Sequence, residues 1–179
     1  MWRKSRGDHE VVLSLTEVES TVLAQLLDDL EDLADLADAA VDKARHTAGR
    51  TDEQAAGNPV IDRLFPAGYA DAGAASEFRE LTRASLQEER RERYGQCRAE
   101  LPEGGGEIVV EPDSVQRWLV VINDMRLALG TRLGVTAEGF PDDPDESNAF
   151  AVADEILAAR TVYQWLTAIQ DDMVNAVLR

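Results

Sequence analysis

Cysteine is almost missing from this chain, and that scarcity sets the first limit on what it does. Cys97 stands alone among 179 residues, so no disulfide can form within one molecule. A lone thiol fits a reducing compartment, and the expected location is the cytoplasm. Histidine is nearly as scarce, with only His9 and His46. One sits in a terminal stretch and the other near a helix end, and each reads as an exposed bystander rather than a ligand or base. Long apolar runs are absent too. None nears the roughly 20 residues needed to span a bilayer. The basic start MWRKSRGDHEVV lacks the apolar core of a signal peptide, so no membrane role is expected.

Positive charge is also in short supply. Lys and Arg total 18 against 35 Asp and Glu, for a net charge of −17. Phosphate affinity comes mostly from Lys and Arg, so this balance disfavours direct DNA binding, which would need a locally basic face. Acidity on this scale serves solubility or attracts a basic protein. Enzyme signatures are missing as well: there is no P-loop, no GxGxxG after a strand, no HExxH, no CxxC and no GxSxG. The triplet Gly104-Gly105-Gly106 lacks the lysine and helix start of a phosphate cradle and reads as a turn. The expectation is a protein that is not an enzyme and holds no cofactor or metal.

What the chain does have is helical periodicity. Its length suits one domain. Residues 1–9 read as a basic tail carrying Arg3, Lys4 and Arg6, and residues 10–179 as a single, mainly α-helical domain. EVVLSL (10–15) predicts a short strand, followed by a capping box from Ser14 with Glu17 or Thr16 with Glu19. The helix after it runs to about Val41, with Val18, Val22, Leu26, Leu30, Leu33 and Ala37 at three-four spacing. Its other side carries Asp28, Asp29, Glu31, Asp32, Asp35, Asp38 and Asp42, which read as a solvated face and not as a metal site. TAGRTDEQAAGN (47–58) reads as a loop and NPVIDRLFP (58–66) as a short helix. Residues 71–99 read as one bent helix or two, and 149–177 as the last helix.

EIVVEPDSVQRWLV (107–120) repeats the plan of EVVLSLTEVESTVL (10–23), with Glu107 against Glu10, Asp113 against Thr16 as the cap, and Val115 against Val18. Two lone strands need partners for their backbone groups, so 10–15 and 107–111 are expected to pair as a small two-stranded β-ribbon.

Three sets of residues are candidates for function. SLQEERRERYGQCR (85–98) offers Arg90, Arg91 and Arg93 near Tyr94, a nucleic-acid or partner contact in which arginines meet phosphates and the ring stacks on a base. Glu88, Glu89 and Glu92 intervene at helix spacing, which favours ion pairs within a solvated face. Cys97, with Arg93 one turn before it and Arg98 beside it, is the redox candidate, against the plainer reading of an inert buried filler. Asn123, Asp124 and Arg126, inside the apolar helix that follows, read as a structural polar core. Arg126 there needs a carboxylate or several carbonyls. Gly130 and Gly134 would admit another backbone, and Gly134 also suits the residue just past the helix end.

INDMRLALGTRLGV (122–135) resembles the signature of the actinobacterial oxidative stress regulator (AosR) family, formerly catalogued as a domain of unknown function. NPVIDRLFPAGY, ASEFRELT, EIVVEPDSVQRWL and VYQWLTAIQDDMV extend the resemblance over nearly the whole chain. The resemblance implies a redox-responsive transcriptional regulator of the oxidative stress response. Its partner would be a protein, an RNA polymerase sigma factor or another polymerase component, and a homo-oligomer is compatible with it. An internal disulfide switch does not carry over, since this chain has one cysteine. The other reading is a non-catalytic helical adaptor with no redox role.

Overall fold

Alternating burial marks the first strand of the core. Val11, Leu13 and Leu15 are buried while Val12 and Ser14 are half-buried, the period of a strand with one wet face. The computed structural model describes residues 2–4, 11–46, 58–65, 76–141 and 153–177. Strand β2 (Val11–Leu15) lies antiparallel to β3 (Gly106–Val110), with Leu13 opposite Ile108 and Leu15 opposite Gly106. The fold is mainly α, and the two strands expected to pair do so. The sheet gains a third strand from within the basic tail: β1 (Trp2–Lys4) pairs antiparallel with β2, giving the order β1-β2-β3. β2 thereby satisfies backbone groups on both its edges. Three residues are too few for a period to register in sequence.

Thr16 opens α1 (Glu17–His46). Its N–H donates to Glu19 Oε2 at 2.7 Å, and the Glu19 N–H donates to Thr16 Oγ1 at 3.2 Å, a reciprocal capping box. The buried stripe of α1 runs through Leu23, Leu27, Leu30, Leu33, Ala34 and Ala37: Leu30, Leu33 and Ala37 are buried as expected, but in the first half Leu23 and Leu27 take the place of Val18, Val22 and Leu26. Ser20 fixes the rotation, because its hydroxyl donates to the Pro102 carbonyl at 2.6 Å and leaves Val18 facing solvent. Asn58 caps α2 (Pro59–Leu64), accepting from the N–H groups of Val60 and Ile61, with Pro59 at the first position. Residues Ser76–Glu100 form one helix, α3. In α4 (Pro112–Arg132) the cap is Glu111, not Asp113, because Pro112 takes the first helical position. Gly134, at φ +67°, ends it: its N–H donates to Thr131 O at 3.2 Å and that of Val135 to Gly130 O at 2.8 Å. Last comes α5 (Ala153–Val177). Residues 47–57 of the expected loop 47–58 fall outside the described residues, as does His9.

Helix α4 is the hub and touches α1, α2, α3 and α5. Trp118, Val121, Ile122, Met125 and Leu129 on it are buried within one apolar cluster shared with β2, β3, α1, α2, α3 and α5. Deleting side chains of this size from such a site typically costs about 2–5 kcal/mol.

The internal repeat is real in three dimensions but shifted by two residues. β2 and β3 begin at Val11 and Gly106, and α1 and α4 at Glu17 and Pro112, so both pairs are displaced by the same 95 residues. Buried side chains keep that displacement: Leu23 with Trp118, Leu27 with Ile122, Leu30 with Met125. The sequence match of Thr16 with Asp113 is thus two positions out. A slip of two leaves the faces of a strand unchanged but turns a helix by about 200°, and it set exposed Val18 against buried Val115. Leu13 faces Ile108, its own counterpart, so an approximate twofold axis passes between them. In each half the next long helix packs on the first, α3 on α1 and α5 on α4.

Candidate functional site

The most buried acidic or basic side chain of the described residues is Asp124, 3% exposed on α4. The Tyr94 hydroxyl, from α3, donates to its Oδ2 at 2.9 Å, and Arg90 Nε stands 4.0 Å away. Arg90 reaches on to α2, where it donates to the Leu64 carbonyl and lies 5.0 Å over the Phe65 ring. One knot therefore ties α2, α3 and α4 together. Burial raises the Asp124 pKa above the ordinary carboxylate value, outweighing the opposing pull of Arg90 and the Tyr94 hydrogen bond. The Tyr94 phenol is likewise pushed up by burial and the neighbouring carboxyl. Asp124 Oδ2 is thus engaged by two side chains of α3.

A second seam joins the end of α3 to the start of α4. Glu100 accepts from Trp118 Nε1 at 2.6 Å and from Arg117, which also donates to Gln96 at 3.1 Å. Cys97 lies inside this seam, fully buried. Burial pushes its thiol up to about 12, with the guanidinium of Arg117 only partly offsetting that. At neutral pH it is a thiol, not a thiolate. The neighbours expected to activate it point elsewhere: Arg93 pairs with Glu89 at 2.9 Å and Arg98 with Asp28 at 3.4 Å.

The candidate contact arginines are also occupied. Arg91 bridges to α1 through Asp35 at 3.0 Å and through Asp38, while Arg90 belongs to the knot. The acidic face of α1 thus receives bases from outside its own helix, including Arg132 to Asp29 at 3.4 Å. Among the described residues no three His, Cys, Asp or Glu side chains gather closely enough to hold a metal ion. Tyr94 is buried and cannot stack on a base.

Asn123, Asp124 and Arg126 do not form one cluster. Asp124 faces α3, whereas Arg126 faces α5 and donates to Thr167 Oγ1 at 3.1 Å and to Gln170 Oε1, over the Tyr163 ring at 5.4 Å. The partners of Arg126 are one hydroxyl and one side-chain amide carbonyl, in place of the carboxylate or several carbonyls expected. Gly130 makes room for the Tyr163 ring, 3.1 Å from where a Cβ would stand, so the close approach there is by a side chain and not a backbone. Sequence reasoning missed the Tyr94–Asp124 and Trp118–Glu100 bonds. The signal for the first was available: Arg90 and Tyr94 are four apart on one helix, and Asp124 is the one acid beyond the first turn of an apolar one.

Comparison with known proteins places this architecture. The chain is similar to the oxidative stress regulator AosR of Mycobacterium tuberculosis and of Mycobacterium bovis, 27% identical over 139 residues in each case. That match covers 70% of this chain and 61% of theirs, so the chain spans about three-fifths of the relatives' length. The putative oxidative stress regulator AosR of Mycobacterium leprae is 29% identical over 118 residues, covering 65% of this chain and 51% of its own. No solved structure matches the chain. The family model described as Domain of unknown function (DUF2017) matches residues 1–177, and the chain belongs to that family.

Proposed function

We propose that this protein is a non-enzymatic regulator of the oxidative stress response that works in the cytoplasm through protein contacts. Its partner is a sigma factor or another RNA polymerase component, and its output is transcription. The name shared by its relatives supports the first part. The observation that carries the choice of protein over DNA is the pairing of the arginines in the second half of α3: Arg90, Arg91, Arg93 and Arg98 are each engaged with a carboxylate or carbonyl of the chain itself. With a net charge of −17 behind them, they leave little to attract phosphate. The test combines deletion with co-purification under reducing and oxidising conditions. Stress-gene transcripts should change on deletion, and a polymerase component should co-purify. Absence of both sinks the reading.

The adaptor with no redox role of its own has one observation in its favour, the burial of Cys97 and its raised pKa. On this view any oxidant response enters through the partner. Alkylation of the native protein by iodoacetamide at neutral pH should be at least ~100-fold slower than in denaturant. Rapid native labelling, or peroxide-dependent oligomers lost in Cys97→Ser, would return the redox role to this residue.

A further inference from the structure

We propose that the outer face of α5, with the first turn of α1 beside it, docks a partner helix that is apolar in its middle and basic at both ends. This deepens the reading of a regulator acting through protein contacts, and rests on it. Asp154, Leu157, Thr161, Gln164, Ala168 and Asp171 recur at three-four spacing and so share one side of α5, opposite the buried Ala159, Leu166 and Met173. All six are exposed. Between Asp154 and Asp171 this side carries no charge, in a chain of which 30% is charged. Arg160, the one base in that stretch, is drawn off it, donating to Pro141 O at 2.7 Å and lying over the Phe140 ring. The exposed positions of α1 and α3 are different, with Asp28, Asp29, Asp32 and Asp35 on one and Glu88, Glu89, Glu92 and Arg98 on the other.

Trp165 extends the surface sideways. It is half-buried and lies close enough to the Glu19 carboxylate to interact with it, which sets the first turn of α1 beside α5. On that turn Val18 is 71% exposed, and on α5 Leu157 is 65% exposed; these are the two most exposed large apolar residues described. Acids close both ends of the face, Asp154 at one and Asp171 with Asp172 at the other, about 25 Å apart at 1.5 Å per residue.

That pattern selects the occupant. A second copy would set aspartate against aspartate at the ends in either orientation, and like charges across an interface cost affinity. An anionic lipid surface would meet the same acids. A helix of about 17 residues with Lys or Arg at its ends and Leu, Ile or Met along one side suits both the uncharged middle and the charges.

The test places a photo-reactive phenylalanine at position 164 in living host cells and sequences the captured peptide by mass spectrometry. The expected adduct is with an apolar helical segment flanked by basic residues. Its yield should fall roughly fivefold or more in Asp154→Lys/Asp171→Lys/Asp172→Lys and stay unchanged in the control Asp32→Lys on α1. No adduct, an adduct with a second copy, a captured segment without basic ends, or equal loss in the control would each overturn the proposal. All these positions are solvent-exposed, and unchanged thermal melts verify that the variants fold. The transcript response to deletion is read separately, so failure here leaves the regulator reading standing, and the reverse also holds.

Discussion

At the scale of single residues, the Asp124 carboxyl is the group whose chemistry the fold has altered most consequentially. Its pKa rises above the ordinary 3.8 because burial disfavours the anion. A raised folded value means that the native state binds the proton more tightly than the unfolded chain. The stability it contributes is therefore fully present below the ordinary value and is lost as pH rises through the folded one. Asp124→Asn should remove that loss. Urea melts of the variant and the parent, compared from about pH 4 to 7, should show the parent's relative stability declining with pH. A parallel pair of curves refutes the assignment. Tyr94→Phe should cost about 1–3 kcal/mol, since it leaves a buried acceptor without its donor.

At the scale of elements, the glycines separate local need from local slack. Gly105, at φ +87°, sits so close to the start of α1 that a Cβ would stand 2.6 Å from the Glu17 nitrogen. Backbone cannot yield as a side chain does, so Gly105→Ala should destabilise by about 2 kcal/mol or more. Gly95 lies exposed inside α3 with nothing within 4 Å of a Cβ, and Gly95→Ala should stabilise by about 0.5–1 kcal/mol. Thermal melts that rank the two variants the other way would contradict this packing. The elements themselves were largely legible in the chain, since α1, α2, α4 and α5 announce themselves by three-four spacing and by the caps Thr16 and Asn58. Rotation about the helix axis was less legible, because Ser20 bonds a carbonyl 82 residues away and no local pattern encodes that. Site residues suffered most. Whether Arg91 is free or paired depends on Asp35 and Asp38, which reach it only through tertiary packing.

At the scale of the whole molecule, the excess of 17 negative charges sets the response to salt. Self-repulsion opposes the compact state, and raising ionic strength from ~0.01 M to ~0.15 M shortens its range from about 30 Å to 8 Å. The melting temperature should rise over that interval despite the screening of pairs such as Arg91–Asp35 and Arg98–Asp28, because exposed pairs contribute little. A falling melting temperature would mean that the pairs outweigh the net charge. The approximate twofold through Leu13 and Ile108 carries a different consequence, which concerns valency. A strand whose central residue meets its own counterpart is self-complementary, so two identical β-α-α units would close into this same architecture and present the same outer helix twice. Held in one chain, the two halves are free to differ. The first ties its outer helix, α3, to α1 through arginine, and the second leaves α5 with an uncharged side. On the docking proposed for α5, such a body would take one partner and not two.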